Sequence, residues 1–99
     1  MLNYKKDRNY NFAACMRYFL VNINACIDRN NIGISPKTRV RYSISSTMYR
    51  YDYDVIKLIT KTFAVRNISV DLKSYKVTTE NGKIKYTYEF DVAMKENQK

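Results

Sequence analysis

The sequence predicts an α+β fold: a two-layer sandwich with a three-stranded antiparallel sheet, strand order 1-3-2, carrying two helices on one face, and element order α-β-α-β-β. Three observations predict it. Asn81-Gly82 lies between two runs rich in β-branched and aromatic residues, and that dipeptide accepts the two positive φ angles of a type I′ hairpin turn. Apolar residues recur at spacings of three and four between Asn9 and Asn30, and again between Asp54 and Phe63, which is the period of a half-buried helix. After the first helix, the run strand-helix-strand-strand corresponds to half of a split βαβ plait, in which the last strand lies between the other two. At 99 residues the chain is expected to form one domain, with residues 1–8 as a basic N-terminal arm and 96–99 as a polar tail.

The first helix is expected from Asn9 to Asn30, with Phe12, Met16, Phe19, Leu20, Ile23 and Ile27 on its core side. Asn9 or Asn11 would cap its start; Asn30, Asn31 and Gly33 supply a stop, and Pro36 prevents resumption. A second apolar stripe, Ala14, Tyr18, Val21 and Ala25, runs along the reverse side. A helix apolar on two sides is usually sandwiched, so this stripe is expected to be a dimer or partner interface, most simply a homodimer.

Thr38 to Met48 alternates, with Val40, Tyr42, Ile44 and Met48 on one face and Arg39, Arg41, Ser43 and Ser45 on the other. This is the first strand. A polar aromatic connection, Tyr49 to Tyr53, leads to a short helix capped by Asp52 or Asp54, with Val55, Ile56, Ile59 and Phe63 facing the core.

In the hairpin, Ile84, Tyr86, Tyr88, Phe90, Val92 and Met94 share one face of the downstream arm. Upstream, Val77 and Tyr75 keep that parity, whereas Leu72, Val70 and Ile68 fall on the opposite one. A β-bulge near Lys73-Ser74 reconciles them. The bulged register sets Leu72 against Phe90, Val70 against Val92 and Ile68 against Met94, and it sets Asp71 directly across from Asp91. Facing carboxylates need a cation. With the last strand central, Arg39 and Arg41 of the first strand arrive beside these acids, so arginine is expected there and no metal ion.

Eighteen Lys and Arg against nine Asp and Glu give a net charge of +9, a field that attracts polyanions and acidic partners. There is no His, which removes the commonest general base near neutrality and the commonest transition-metal ligand. Two cysteines make no zinc cluster and two glycines no phosphate-cradling loop. No enzyme activity, cofactor or metal is therefore expected. Cys15 and Cys26 fall on nearly one side of the first helix, about 16 Å apart along its axis, beyond disulfide reach. Buried, reduced thiols suit a reducing compartment, so a cytoplasmic location is expected, and neither a signal peptide nor a membrane span fits the sequence.

The expected function is that of a small basic binding domain contacting nucleic acid, DNA or RNA, non-specifically by charge. The contact residues would be Arg39, Arg41, Lys73, Lys76 and Lys85 on the open face of the sheet, with Tyr49, Arg50, Tyr51 and Tyr53 from the loop, where rings can stack on bases while guanidinium groups hold phosphates. Tyr42, Tyr86 and Tyr88 share the apolar face with Phe90 and are expected in the core. The runner-up is a protein-interaction module or inhibitor docking on an acidic protein partner. The wealth of Lys, Asn, Ile and Tyr is similar in general character to small accessory proteins of phages and viruses; a target handling host nucleic acid, met in the host cytoplasm, would follow from that likeness.

Overall fold

A computed structural model of the chain describes residues 4–34 and 38–95; the beginning of the expected arm (1–3), Pro36 and the polar tail (96–99) lie outside the described residues. The elements are α1 (Tyr4–Asn30), β1 (Arg39–Ser46), α2 (Tyr53–Ala64), β2 (Ile68–Glu80) and β3 (Lys83–Met94). The fold is α+β, and the antiparallel sheet is ordered β1-β3-β2.

The hairpin sets the sheet. Asn81 (φ 52°) and Gly82 (φ 77°) both take positive φ, as a type I′ turn requires. Val77 pairs with Tyr86 and Tyr75 with Tyr88; the register then shifts between Leu72 and Ser74, leaving Lys73 as the extra residue. Below the bulge Leu72 faces Phe90, Val70 faces Val92 and Ile68 faces Met94. The expected register therefore holds throughout. Its physical basis is parity: without Lys73 looped out, Ile68 and Val70, both buried, would turn to the open face.

Both helices close the apolar face. From α1, Cys15, Phe19, Ile23, Cys26 and Ile27 are buried, with Phe12, Met16 and Leu20 half-buried beside them; from α2, Val55, Ile56, Ile59 and Phe63 are buried. Phe19 sits edge-on to Tyr88, ring centroids 4.8 Å apart, and edge-on to Phe90 at 5.9 Å. These aromatic contacts join α1 to the central strand.

The helix ends follow local chemistry. Asn31 adopts φ 57°, Ile32 N–H donates to Ile27 O (3.1 Å) and Asn31 N–H to Asp28 O (3.4 Å). This is a Schellman stop, closed by contact of buried Ile27 and Ile32. Asp52 caps α2, its Oδ1 accepting from the backbone of Asp54 (3.0 Å) and Val55 (3.4 Å). Each outer strand also gives one carbonyl to a helix hydroxyl: Ser45 O accepts from Tyr18 and Val70 O from Thr60. Together with the bulge, these contacts blunt the sheet edges.

The structure corrects three expectations. α1 begins at Tyr4, so residues 4–8 are helical and Asn9 and Asn11 lie inside the helix instead of capping it; the apolar period starts only at Phe12, and the Lys- and Arg-rich lead is itself a fair helix former. β1 stops at Ser46, whose Oγ accepts from Met48 N–H (2.9 Å) and Tyr49 N–H (3.1 Å) and turns the chain, leaving Met48 74% exposed. Finally, Val77 and Ile84 share the parity of the core but are 54% and 50% exposed, because the hairpin outruns what covers it.

The bulge yields a stability prediction. Deleting Lys73 leaves every cross-strand pair on its present face and should cost under about 1 kcal/mol. Deleting Asp71 shifts Ile68 and Val70 to the open face and should cost roughly 3–6 kcal/mol, at ~1.5–3 kcal/mol per buried side chain. Urea unfolding of the two variants, read against the parent, checks this.

Candidate functional site

The face of the sheet away from the helices divides into two halves. In the lower half one expected contact forms, the Arg39 guanidinium donating to Asp91; Arg41 instead lies 3.6 Å from Glu89, and Asp71 accepts from Ser69 Oγ at 3.3 Å. Asp71 and Asp91 are directly opposed in the register, with Arg41 facing Asp91 from the other side. Arginine thus reaches one of the facing carboxylates, Asp91, while Asp71 is met by a hydroxyl. Among the described residues no group of three His, Cys, Asp or Glu could hold a metal ion.

The upper half is different. Lys76, Thr78 and Glu80 of β2 alternate with Thr87, Lys85 and Lys83 of β3 across the ladder. Lys85 reaches Glu80 at 3.8 Å, while Lys73, Lys76 and Lys83 are exposed and without an acidic partner among the described residues. Where β1 ends, a shallow hollow of about 230 Å³ opens between it and the hairpin tip, lined by Thr47, Glu80, Asn81, Lys83 and Lys85. The positive charge of this face is concentrated toward the turn. Lys83 is absent from the expected contact residues, although its parity beside Lys85 puts it on the same face.

The Tyr49–Tyr53 connection is held down by the sheet. Tyr88, fully buried, donates its hydroxyl to Tyr49 O, and Tyr51 N–H donates to the Tyr75 hydroxyl (3.2 Å). The Tyr49 ring lies 5.2 Å from that of Tyr18, and the Tyr51 ring 5.3 Å from that of Tyr75. Arg50 is exposed, and Tyr53 is 62% exposed with Lys57 Nζ 5.9 Å over its ring. Tyr86 and Tyr75 are half-buried and stacked on each other. The loop therefore offers one guanidinium and two exposed rings, Tyr53 and the Tyr51 ring that lies against Tyr75, while Tyr49 packs on the chain itself.

The second stripe of α1 borders a groove of about 610 Å³ lined by Ala13, Ala14, Arg17, Tyr18, Val21, Asn22 and Tyr49. Tyr18 is engaged within the chain, on Ser45 O and Tyr49, and Asn22 is near the Tyr42 hydroxyl (3.4 Å). Val21 is 61% exposed; Ala14 and Ala25 are half-buried.

Neither thiol is poised for chemistry. Both cysteines are free and buried. Burial, with the Asp52 charge second, pushes the Cys15 thiol up to about 12; burial also raises Cys26, partly offset by the Asn30 amide and Arg29. Burial likewise raises the Tyr88 hydroxyl, ahead of its tyrosine neighbours.

No family model, curated protein or solved structure matches this chain. No helix among the described residues is long and apolar enough to cross a membrane.

The thiol shift has a measurable consequence. An unfolded thiol ionises near 9, whereas folded Cys15 keeps its proton to about 12. Its contribution to stability is complete below pH 9 and is lost as pH climbs toward 12. The urea midpoint should fall across that window, and Cys15→Ala should flatten the fall while leaving the slope below pH 8 unchanged.

Proposed function

We propose that this protein is a small non-enzymatic domain that binds nucleic acid by charge, through the upper half of the open sheet face and the adjoining loop. One observation carries the reading. Lys76 and Lys83 stand exposed toward the turn with no acidic partner among the described residues, and Lys73 at the bulge and Arg50 in the loop are exposed as well, while the arginines of β1 are occupied by Asp91 and Glu89. Unpaired cations clustered at one end of a +9 chain concentrate a polyanion there, and phosphates are the counter-charge they fit. Of the sequence-derived contact residues, Lys76 and Lys85 lie at this end, Lys73 sits at the bulge midway along β2, and Arg50 is carried by a loop anchored to Tyr75 and Tyr88. Arg39 and Arg41 lie in the balanced half and would add less. A cytoplasmic or host-cell location, and an origin among viral or phage accessory proteins, belong to the same proposal and rest on composition alone.

Fluorescence anisotropy with labelled DNA and RNA tests it. Affinity should fall steeply with salt, and Lys76→Glu with Lys83→Glu should weaken binding and reduce the slope of log K against log salt by about two. Absence of binding at about 50 mM salt removes the proposal.

A second reading is supported by the groove along α1. Exposed Val21 beside Ala14, Ala25 and the Tyr18–Tyr49 pair makes an apolar strip suited to a protein, either a second copy forming a homodimer or an acidic protein partner drawn by Arg17. Sedimentation at rising concentration should show a dimer that Val21→Asp returns to monomer; a wild type that stays monomeric rejects the homodimer.

A further inference from the structure

β1 ends at Ser46, which pairs with Tyr86. Beyond the Val77–Tyr86 pair only two strands continue, through Thr78–Lys85, Thr79–Ile84 and Glu80–Lys83 to the Asn81-Gly82 turn. Every residue from Lys76 to Ile84 is exposed, so the tip of the hairpin is a two-stranded ribbon standing clear of both helices. A lone hairpin is marginal in water, and this one persists because its strands run on into the three-stranded sheet.

We infer that this arm is a reader of double-stranded DNA that enters the major groove, an inference that rests on the nucleic-acid reading above. Dimensions come first. Two strands about 4.8 Å apart, with their side chains, fill a groove ~12 Å wide and ~8.5 Å deep, and B-DNA admits a two-stranded ribbon there. From the Val77–Tyr86 pair to the turn the arm extends roughly 14 Å at ~3.4 Å per residue, more than the ~8.5 Å depth of the groove, so its tip can reach the groove floor with Lys76 the unpaired cation nearest behind it.

The chemistry of the arm agrees. Thr78, Asn81 and Lys83 carry donors and acceptors suited to base edges, and exposed Val77 and Ile84 suit thymine methyl groups. Other nucleic acids fit less well. Tyr75 and Tyr86, the rings nearest the arm, are stacked on each other and half-buried, so the arm presents no platform on which single-stranded bases would stack. The deep, narrow major groove of an RNA duplex would not admit the ribbon.

The test uses a labelled 20-base-pair DNA duplex, one of its single strands and an RNA duplex of the same sequence, at about 50 mM salt. The wild type should favour the DNA duplex by at least ~10-fold over both others. The decisive variant deletes Thr79, Glu80, Lys83 and Ile84, which keeps the turn, preserves strand parity and leaves net charge unchanged because one acid and one base depart together. None of the four is buried, so its circular dichroism and thermal midpoint should match the parent. It should lose the duplex preference while retaining a weaker, salt-dependent binding to all three, because the loss of Lys83 lowers each affinity alike. Equal affinity for the three nucleic acids, preference for the single strand or RNA, or a duplex preference that survives the deletion overturns the groove inference and leaves charge-driven binding standing. Failure to bind any of the three overturns both.

Discussion

The register of the hairpin is the constraint from which the remaining architecture follows. Looping out Lys73 is what lets Ile68, Val70 and Leu72 share a face with Tyr75 and Val77, and the same step brings Asp71 opposite Asp91. Hydrophobic parity therefore creates an electrostatic difficulty on the other face. Its relief comes from beyond β3, where β1 supplies Arg39 to Asp91 and Arg41 to Glu89. A sheet with β2 in the middle would leave those acids away from the arginines. The apolar pattern and the charge pattern thus both select the order β1-β3-β2, the kind of agreement between levels that lets a short chain specify one fold.

What was legible in the sequence was whatever local chemistry decides. Asn81-Gly82 announced its turn, Asp52 or Asp54 the cap of α2, and the run Asn30, Asn31 and Gly33 the stop of α1, because each acts through bonds to residues a few positions away; the structure selects Asp52 and Asn31. Alternation told which face each strand residue occupies. It could not tell whether anything covers that face, because alternation belongs to the strand itself while its cover comes from helices elsewhere in the chain, whose reach along the strand no local pattern states. Ile84 and Val77 have the parity of Phe90 and Val70 without their burial. The start of α1 was hidden for a related reason, since a helical lead with no apolar period gives no signal.

Of the candidate site, the polar face was readable and the location of its free charge was not. Arg39, Arg41, Lys73, Lys76 and Lys85 are all on or beside that face, yet which cations are paired depends on the cross-strand neighbours of each. Tyr18 shows the same limit. Its place in the outer stripe of α1 suggested a partner, and the structure gives it one within the chain, Ser45 O and the Tyr49 ring.

Charges that the fold pairs and charges that it leaves open are consequently separated along one hairpin. In the lower half Arg39 answers Asp91 and Arg41 answers Glu89, so removing either arginine would leave a carboxylate facing Asp71 or its neighbours without its cation. In the upper half Lys76 and Lys83 answer no acid among the described residues, and from Lys76 to Ile84 no residue is buried. Substitution there forfeits little apolar burial and opens no cavity, the two terms that make core changes expensive. Exposing Val77 and Ile84 does forgo burial that covering them would provide. A ribbon that extends past its own core at that cost leaves its surface open to contacts from outside the fold, and its bulge and turn hold that surface at a fixed angle to the body.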